Sequence, residues 1–154
     1  NTELRRLLPT LLETFQIIHL CGKNNQDHSL ENLTGYKQYE FVSNELKDLF
    51  AISDIMLSRA GSNAINEFLF LQIPSLLIPL SKSASRGDQI LNANAFEKQG
   101  FSKVIQEEAL TSEALIAELT DLNDHRQTYI KTIQNGKATN GAKNVFEVLY
   151  GFMN

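Results

Sequence analysis

The sequence has no tryptophan and one cysteine, Cys21, so no internal disulfide can staple its core. Long apolar runs are missing too. The richest, Phe68-Leu69-Phe70-Leu71 and Leu76-Leu77-Ile78, fall far short of the roughly 20 residues that cross a bilayer. Basic charge is scarce: 14 lysines and arginines face 18 acidic residues, the signs are interspersed and the net charge is −4. That excludes the clustered basic stripe a nucleic-acid ligand needs, and it leaves backbone groups to hold any phosphate ligand. The lone cysteine indicates a reducing, cytosolic setting, and the opening residues show helical spacing rather than the pattern of a signal peptide.

What is present is ordinary globular composition. With 42% hydrophobic and 21% charged residues, a chain of 154 can bury one core but is too short for two lobes with a cleft between them. One domain is predicted over residues 1–154.

Leu4, Leu7, Leu8, Leu11 and Leu12 recur at helical steps, which predicts a helix from Thr2 to about Phe15, with Pro9 bending it or shifting its start. Phe15 to Leu20 reads as a short buried strand, and Lys23 to Lys37 as a loop with one irregular helical turn. A second strand is predicted at Gln38–Val42, followed by a helix capped by Ser43 or Asn44. Further strands fall at Asp54–Ser58, Ser75–Leu80 and Phe101–Ile105, the last at an edge. Helices are predicted at Ser62–Gln72, Asp88–Gln99, Thr111–Leu122, Asp124–Gln134 and Thr139–Phe152. Strands alternating with helices imply an α/β fold, a doubly wound, Rossmann-like parallel sheet, here with a helical C-terminal tail. Such sheets bind ligands beyond the carboxyl ends of their strands, so function is sought just after Leu20, Val42, Ser58 and Leu80.

Two segments at such positions carry chemistry. Ser58-Arg59-Ala60-Gly61-Ser62-Asn63-Ala64-Ile65-Asn66-Glu67 combines a strand end, a glycine-bearing turn and a helix start, an arrangement that aims free backbone N–H groups at an anion such as a diphosphate. Gly61 admits a ligand close to the backbone, Ser62 or Asn63 can cap the helix or meet a phosphate oxygen, and the Glu67 carboxylate can accept from vicinal hydroxyls. The same residues also suit a plain turn with a serine cap and a solvated glutamate. Ser85-Arg86-Gly87-Asp88-Gln89-Ile90-Leu91-Asn92-Ala93 opens another helix, and there Asp88, Gln89 and Asn92 offer the mixed donors and acceptors that sugar hydroxyls require. Alternatively, Asp88 is an N-cap and the two amides are merely solvated.

Several chemistries lack their residues. No Gly-Lys-Ser or Gly-Lys-Thr makes a P-loop, and no further glycines complete a dinucleotide fingerprint around Gly61. His19 lies within an apolar strand as a satisfied core residue, while His28 and His125 have no partners at metal spacing. No nucleophile, base and orienting group occur together, and no Asp-x-Asp pair is present to hold a metal.

Together, the two segments resemble the donor-binding C-terminal domain of the MurG family, the bacterial peptidoglycan N-acetylglucosaminyltransferases. The similarity extends to residues 1–9, Ile17-Ile18-His19-Leu20 with Gly22-Lys23, Glu40-Phe41-Val42, Ser53-Asp54, Ile73-Pro74, Ile78-Pro79 and the helical tail. The resemblance implies the C-terminal half of a two-lobed (GT-B) inverting glycosyltransferase that moves N-acetylglucosamine from UDP-N-acetylglucosamine to a lipid-linked muramyl-pentapeptide at the cytoplasmic face of the membrane, to which it binds peripherally. It implies that the Val42 backbone faces uracil, that Gly61, Ser62, Asn63 and Ala64 lie at the diphosphate, that Glu67 holds the ribose hydroxyls, and that Asp88 and Gln89 read the sugar with Asn92 beside them. No cofactor is implied in the chain itself, and a divalent cation would act only through the diphosphate. Where family members carry a hydroxyl residue this chain has Ala64, and where they carry a glutamine pair it has Asp88-Gln89.

A glycine-rich strand-loop and an N-terminal acceptor domain precede the corresponding segment in that family. Without them the fragment should bind donor poorly and transfer nothing, and in the sheet order 3-2-1-4-5-6 the absent first strand leaves the strands at Phe15–Leu20 and Asp54–Ser58 without a direct pairing. Alternatives are another UDP-sugar transferase or epimerase, or a non-catalytic nucleotide-binding module.

Overall fold

The computed structural model describes residues 1–136. The chain divides into two compact units, Asn1–Ile52 and a second beginning at Ser53.

In the first unit, helix α1 (Thr2–Leu11) is followed by strands β1 (Ile17–Leu20) and β2 (Tyr36–Tyr39) and helix α2 (Leu46–Ala51), with a 3-10 turn at His28–Leu30 in the loop between the strands. Leu7, Leu8 and Leu11, three or four positions apart, form the buried stripe of α1. Pro9 lies inside α1, so no N–H is available to donate to the Arg5 carbonyl, yet the helix starts at Thr2 and closes four residues earlier than its apolar spacing suggests. β1 and β2 pair in parallel from Ile17 with Tyr36 to Leu20 with Tyr39. The strand predicted at Gln38–Val42 is therefore Tyr36–Tyr39. Gly35 (φ 81°) turns the chain into it, and Gly22 (φ 85°) turns β1 away after Cys21 donates to the Tyr39 carbonyl at 2.9 Å, so the ladder ends there. Glu45, rather than Ser43 or Asn44, occupies the N-cap of α2, with no side-chain cap bond.

The second unit holds β3 (Met56–Ser58), α3 (Ser62–Phe70), β4 (Ser75–Leu77), α4 (Asp88–Lys98), β5 (Ser102–Val104), α5 (Ser112–Asp124) and α6 (Arg126–Asn135). Its strands run parallel in the order β3-β4-β5, which makes β5 an edge. Among the described residues no ladder joins β1 to β3. The central strand β4 is buried throughout, as a parallel strand covered on both faces must be. Leu77 packs with Ala60, Ile65 and Ala93, and Phe96 and Val104 close the cluster. The two alanines let α3 and α4 approach the sheet closely.

Local signals set the helix ends. Thr111 caps α5 by accepting the Ala114 N–H at 3.1 Å. Gly100 (φ 74°) ends α4, and Phe101 N–H closes back onto the Phe96 carbonyl at 3.0 Å. The predicted helix at Thr139–Phe152 lies outside the described residues. Among the described residues no helix is long and apolar enough to cross a membrane.

Candidate functional site at the carboxyl ends of β3 and β4

β3 ends at Ser58, and Gly61 becomes the N-cap of α3 in an extended conformation (φ −67°, ψ 135°). The first intrahelical bond runs from Ile65 N–H to the Gly61 carbonyl at 3.1 Å. Ser62, Asn63 and Ala64 therefore keep backbone N–H groups without partners among the described residues, the ordinary state of a first helical turn. Because Gly61 has no side chain, nothing caps them. Neither Ser62 nor Asn63 serves as the cap: each already lies inside the helix, and no side-chain cap bond forms. A Cβ placed on Gly61 would meet nothing within 4 Å, so packing does not demand a glycine there and space stands open at the turn.

Glu67 is exposed on α3, about one and a half turns from its start. Its carboxylate has no partner among the described residues. Asn66, beside it, donates back to the Ser62 carbonyl at 2.7 Å.

At the start of α4, Gly87 (φ 90°) holds the left-handed N-cap that a residue with a side chain adopts only under strain. Asp88 follows as the first helical residue, exposed and without a partner among the described residues. Gln89 and Asn92 behave differently. Gln89 Oε1 accepts the Leu80 N–H at 3.1 Å, and Asn92 Nδ2 donates to the Ala60 carbonyl at 3.2 Å. Both amides tie α4 to the strand-end turns, and Gln89 keeps its own N–H2 group as a donor. Val42 belongs to the first unit, half-buried in the irregular segment beyond β2.

Sequence reasoning missed a carboxylate. Glu107, in a 3-10 turn after β5, accepts the Ser81 N–H at 3.0 Å through Oε2 and pairs with the Arg59 guanidinium at 2.8 Å through Oε1. The Ser81 N–H, with Arg59 beside it, holds the Glu107 carboxyl below the usual carboxylate range. Arg59 also donates to the Ile78 carbonyl at 3.2 Å. The strand-end rule, applied to β5 as it was to β3 and β4, points at this residue.

The histidines are structural or exposed. His19 is buried, with Nδ1 against the Tyr36 hydroxyl at 2.8 Å and Nε2 against Asn1 Oδ1 at 2.9 Å; burial, then the nearby Arg5, lowers its pKa to about 4. His28 pairs with Glu31 and His125 with Asp121, both on the surface. Among the described residues, no group of His, Cys, Asp and Glu is placed to hold a metal ion.

Parallel strands connected through helices, with an uncapped helix N-terminus in a strand-end loop, define an α/β domain of the class that binds anionic ligands beyond the carboxyl ends of its strands. The chain belongs to glycosyltransferase family 28, whose C-terminal domain it matches over residues 3–149. It is 49% identical over 149 residues to the UDP-N-acetylglucosamine--N-acetylmuramyl-(pentapeptide) pyrophosphoryl-undecaprenol N-acetylglucosamine transferase of Clostridium perfringens (strain SM101 / Type A), covering 97% of this chain and 42% of that protein. It is 54% identical over 139 residues to the transferase 2 of the same name from Bacillus cereus (strain ATCC 10987 / NRS 248), covering 89% of this chain and 40% of the relative. The chain thus spans about two fifths of the length of these relatives. The crystal structure of Acinetobacter baumannii MurG superposes with a TM-score of 0.73 at 21% identity, over 97% of this chain and 48% of that one, which shows the shared fold.

Proposed function

We propose that this chain is the donor-binding part of an inverting N-acetylglucosaminyltransferase, and that the whole protein moves N-acetylglucosamine from UDP-N-acetylglucosamine to a lipid-linked muramyl-pentapeptide in peptidoglycan synthesis. The observation that carries the reading is the open first turn of α3: three N–H groups behind Gly61 and the Glu67 carboxylate on the same helix, all without partners among the described residues. The names of the relatives support the choice of sugar nucleotide and acceptor.

The diphosphate sits on Ser62, Asn63 and Ala64, and the ribose hydroxyls donate to Glu67. The sugar meets Asp88, which can only accept, and the amide N–H2 of Gln89. Asn92 acts by fixing Ala60.

In the reaction, an acceptor hydroxyl attacks the anomeric carbon as its proton passes to a base, and the carbon–oxygen bond to UDP breaks with inversion. No residue of this chain is assigned as that base, which belongs to the acceptor-binding lobe. The N-terminus of α3 stabilises the negative charge that grows on the leaving diphosphate, an interaction stronger in the transition state than in the ground state. A divalent cation, if used, acts through the diphosphate. The protein works at the cytoplasmic face of the membrane, which it contacts through the acceptor-binding lobe.

Calorimetry on the full-length protein with UDP-N-acetylglucosamine and UDP-galactose tests the reading. The N-acetylglucosamine donor should bind more tightly, and Glu67→Ala should weaken it. Equal binding of both sugars, unaffected by the substitution, refutes the assignment.

A further inference from the structure

Ser58 and Leu77 end two adjacent parallel strands, and the turns that follow carry the proposed diphosphate and sugar contacts. Such turns hold a ligand only if their relative position is fixed before it arrives, since ordering a loop on binding is subtracted from affinity. In this chain the two turns are joined from outside. Glu107 directs one carboxylate oxygen to the Arg59 guanidinium, two residues before Gly61, and the other to the Ser81 N–H on the way to Asp88.

We infer that Glu107 is a positioning residue for the sugar-nucleotide site: through Arg59 it sets the turn that opens α3, and through Ser81 it sets the turn that leads to α4. The inference rests on the donor-site reading above.

Exposure separates this role from simple stabilisation. The Arg59 and Glu107 side chains are 48% and 31% exposed, and ion pairs that wet contribute little to folding. Their geometry is nevertheless specific. Arg59 spends one nitrogen on the Ile78 carbonyl of the neighbouring strand exit and another on Glu107, so its guanidinium bridges β4 and the 3-10 turn. Asn92 holds Ala60 from the opposite partner, α4, so the residues on both sides of the Ala60 peptide are fixed to different elements. Glu107 also neutralises Arg59 next to the diphosphate turn, which leaves phosphate recognition to the directed N–H groups of α3.

A placement role predicts a defined kinetic signature. Once the donor is bound it holds both turns itself, so losing the clamp weakens binding and leaves the chemical step nearly intact. In the full-length protein, Glu107→Gln should raise KM for UDP-N-acetylglucosamine by about tenfold, the size expected for a charged hydrogen bond, with kcat changed by less than about twofold. Arg59→Gln should act in the same direction, and the double substitution should cost less than the sum of the two single ones, because they share the Arg59–Glu107 link. Circular dichroism checks that each variant is folded; should Glu107→Gln unfold the protein, the KM and kcat of Arg59→Gln decide the matter alone. Unchanged KM, a fall in kcat matching or exceeding the rise in KM, or additive losses in the double variant would overturn the inference. If Glu67→Ala weakens donor binding while Glu107→Gln does not, the clamp fails and the donor site stands. If the unsubstituted protein does not bind UDP-N-acetylglucosamine, both fall.

Discussion

The side-chain amide of Asn92 donates to the carbonyl of Ala60 at 3.2 Å, joining the second turn of α4 to the fully buried residue ahead of the α3 N-cap. Removing the donor leaves the carbonyl of the buried Ala60 short of a partner. Asn92→Ala should therefore lower stability by about 1 kcal/mol, read as a lower urea midpoint at unchanged m-value, and weaken donor binding as the turn loosens. Asn92→Asp should be worse at neutral pH, because a carboxylate would face the carbonyl oxygen.

Glu67 makes the opposite prediction. Its carboxylate has no partner among the described residues, so Glu67→Gln removes nothing that holds the fold together. The melting temperature should stay within a degree or two, by the small effect typical of surface changes, while KM for the donor rises by about tenfold or more through loss of a charge-assisted hydrogen bond. A stability loss comparable to that of a core substitution would show that Glu67 has a structural partner in solution.

The buried His19 predicts a pH dependence. Burial, with Arg5 nearby, holds its pKa at about 4 against 6.5 in a free chain. Between these values the unfolded chain binds a proton that the folded chain does not, so stability rises with pH across that window and is lost as pH falls through it. The loss from His19 on going from neutral pH to about pH 4 is on the order of 2–3 kcal/mol, and it ceases to grow below the folded pKa. Urea midpoints measured across the range should show this slope in the native protein and a flatter one in His19→Gln.

Leu77 lies fully buried in the central strand among Ala60, Ile65 and Ala93. Leu77→Ala opens a cavity that a strand bonded on both sides cannot close, at a cost of about 2–5 kcal/mol. Thermal denaturation of the variant checks this.

The parts of the fold legible in the sequence were those set by neighbours a few positions away. Thr111 announces the α5 cap, Gly100 announces the end of α4, and the apolar run at Ile17–Leu20 announces a strand around the buried His19. β2 was displaced because Phe41 and Val42 look more strand-like than Tyr36-Lys37-Gln38-Tyr39. The actual strand is chosen by its pairing with β1, and Phe41 is left 80% exposed. The site divides along the same line. The start of α3 just after Gly61, with Glu67 on the same helix, follows from local spacing, whereas the absence of a Ser62 or Asn63 cap does not. The inward turns of Gln89 and Asn92 depend on partners 9 and 32 positions away, and the Glu107 contact with Ser81 on one 26 positions away, distances at which spacing carries no signal.

In the proposed function the first turn of α3 grips the donor diphosphate with backbone N–H groups while Glu67 takes the ribose. A crystal structure of the full-length protein with UDP-N-acetylglucosamine tests it most directly. Diphosphate oxygens should lie within hydrogen-bonding distance of the Ser62, Asn63 or Ala64 N–H groups, with both ribose hydroxyls on the Glu67 carboxylate. A diphosphate bound elsewhere, with Glu67 still facing solvent, would contradict it.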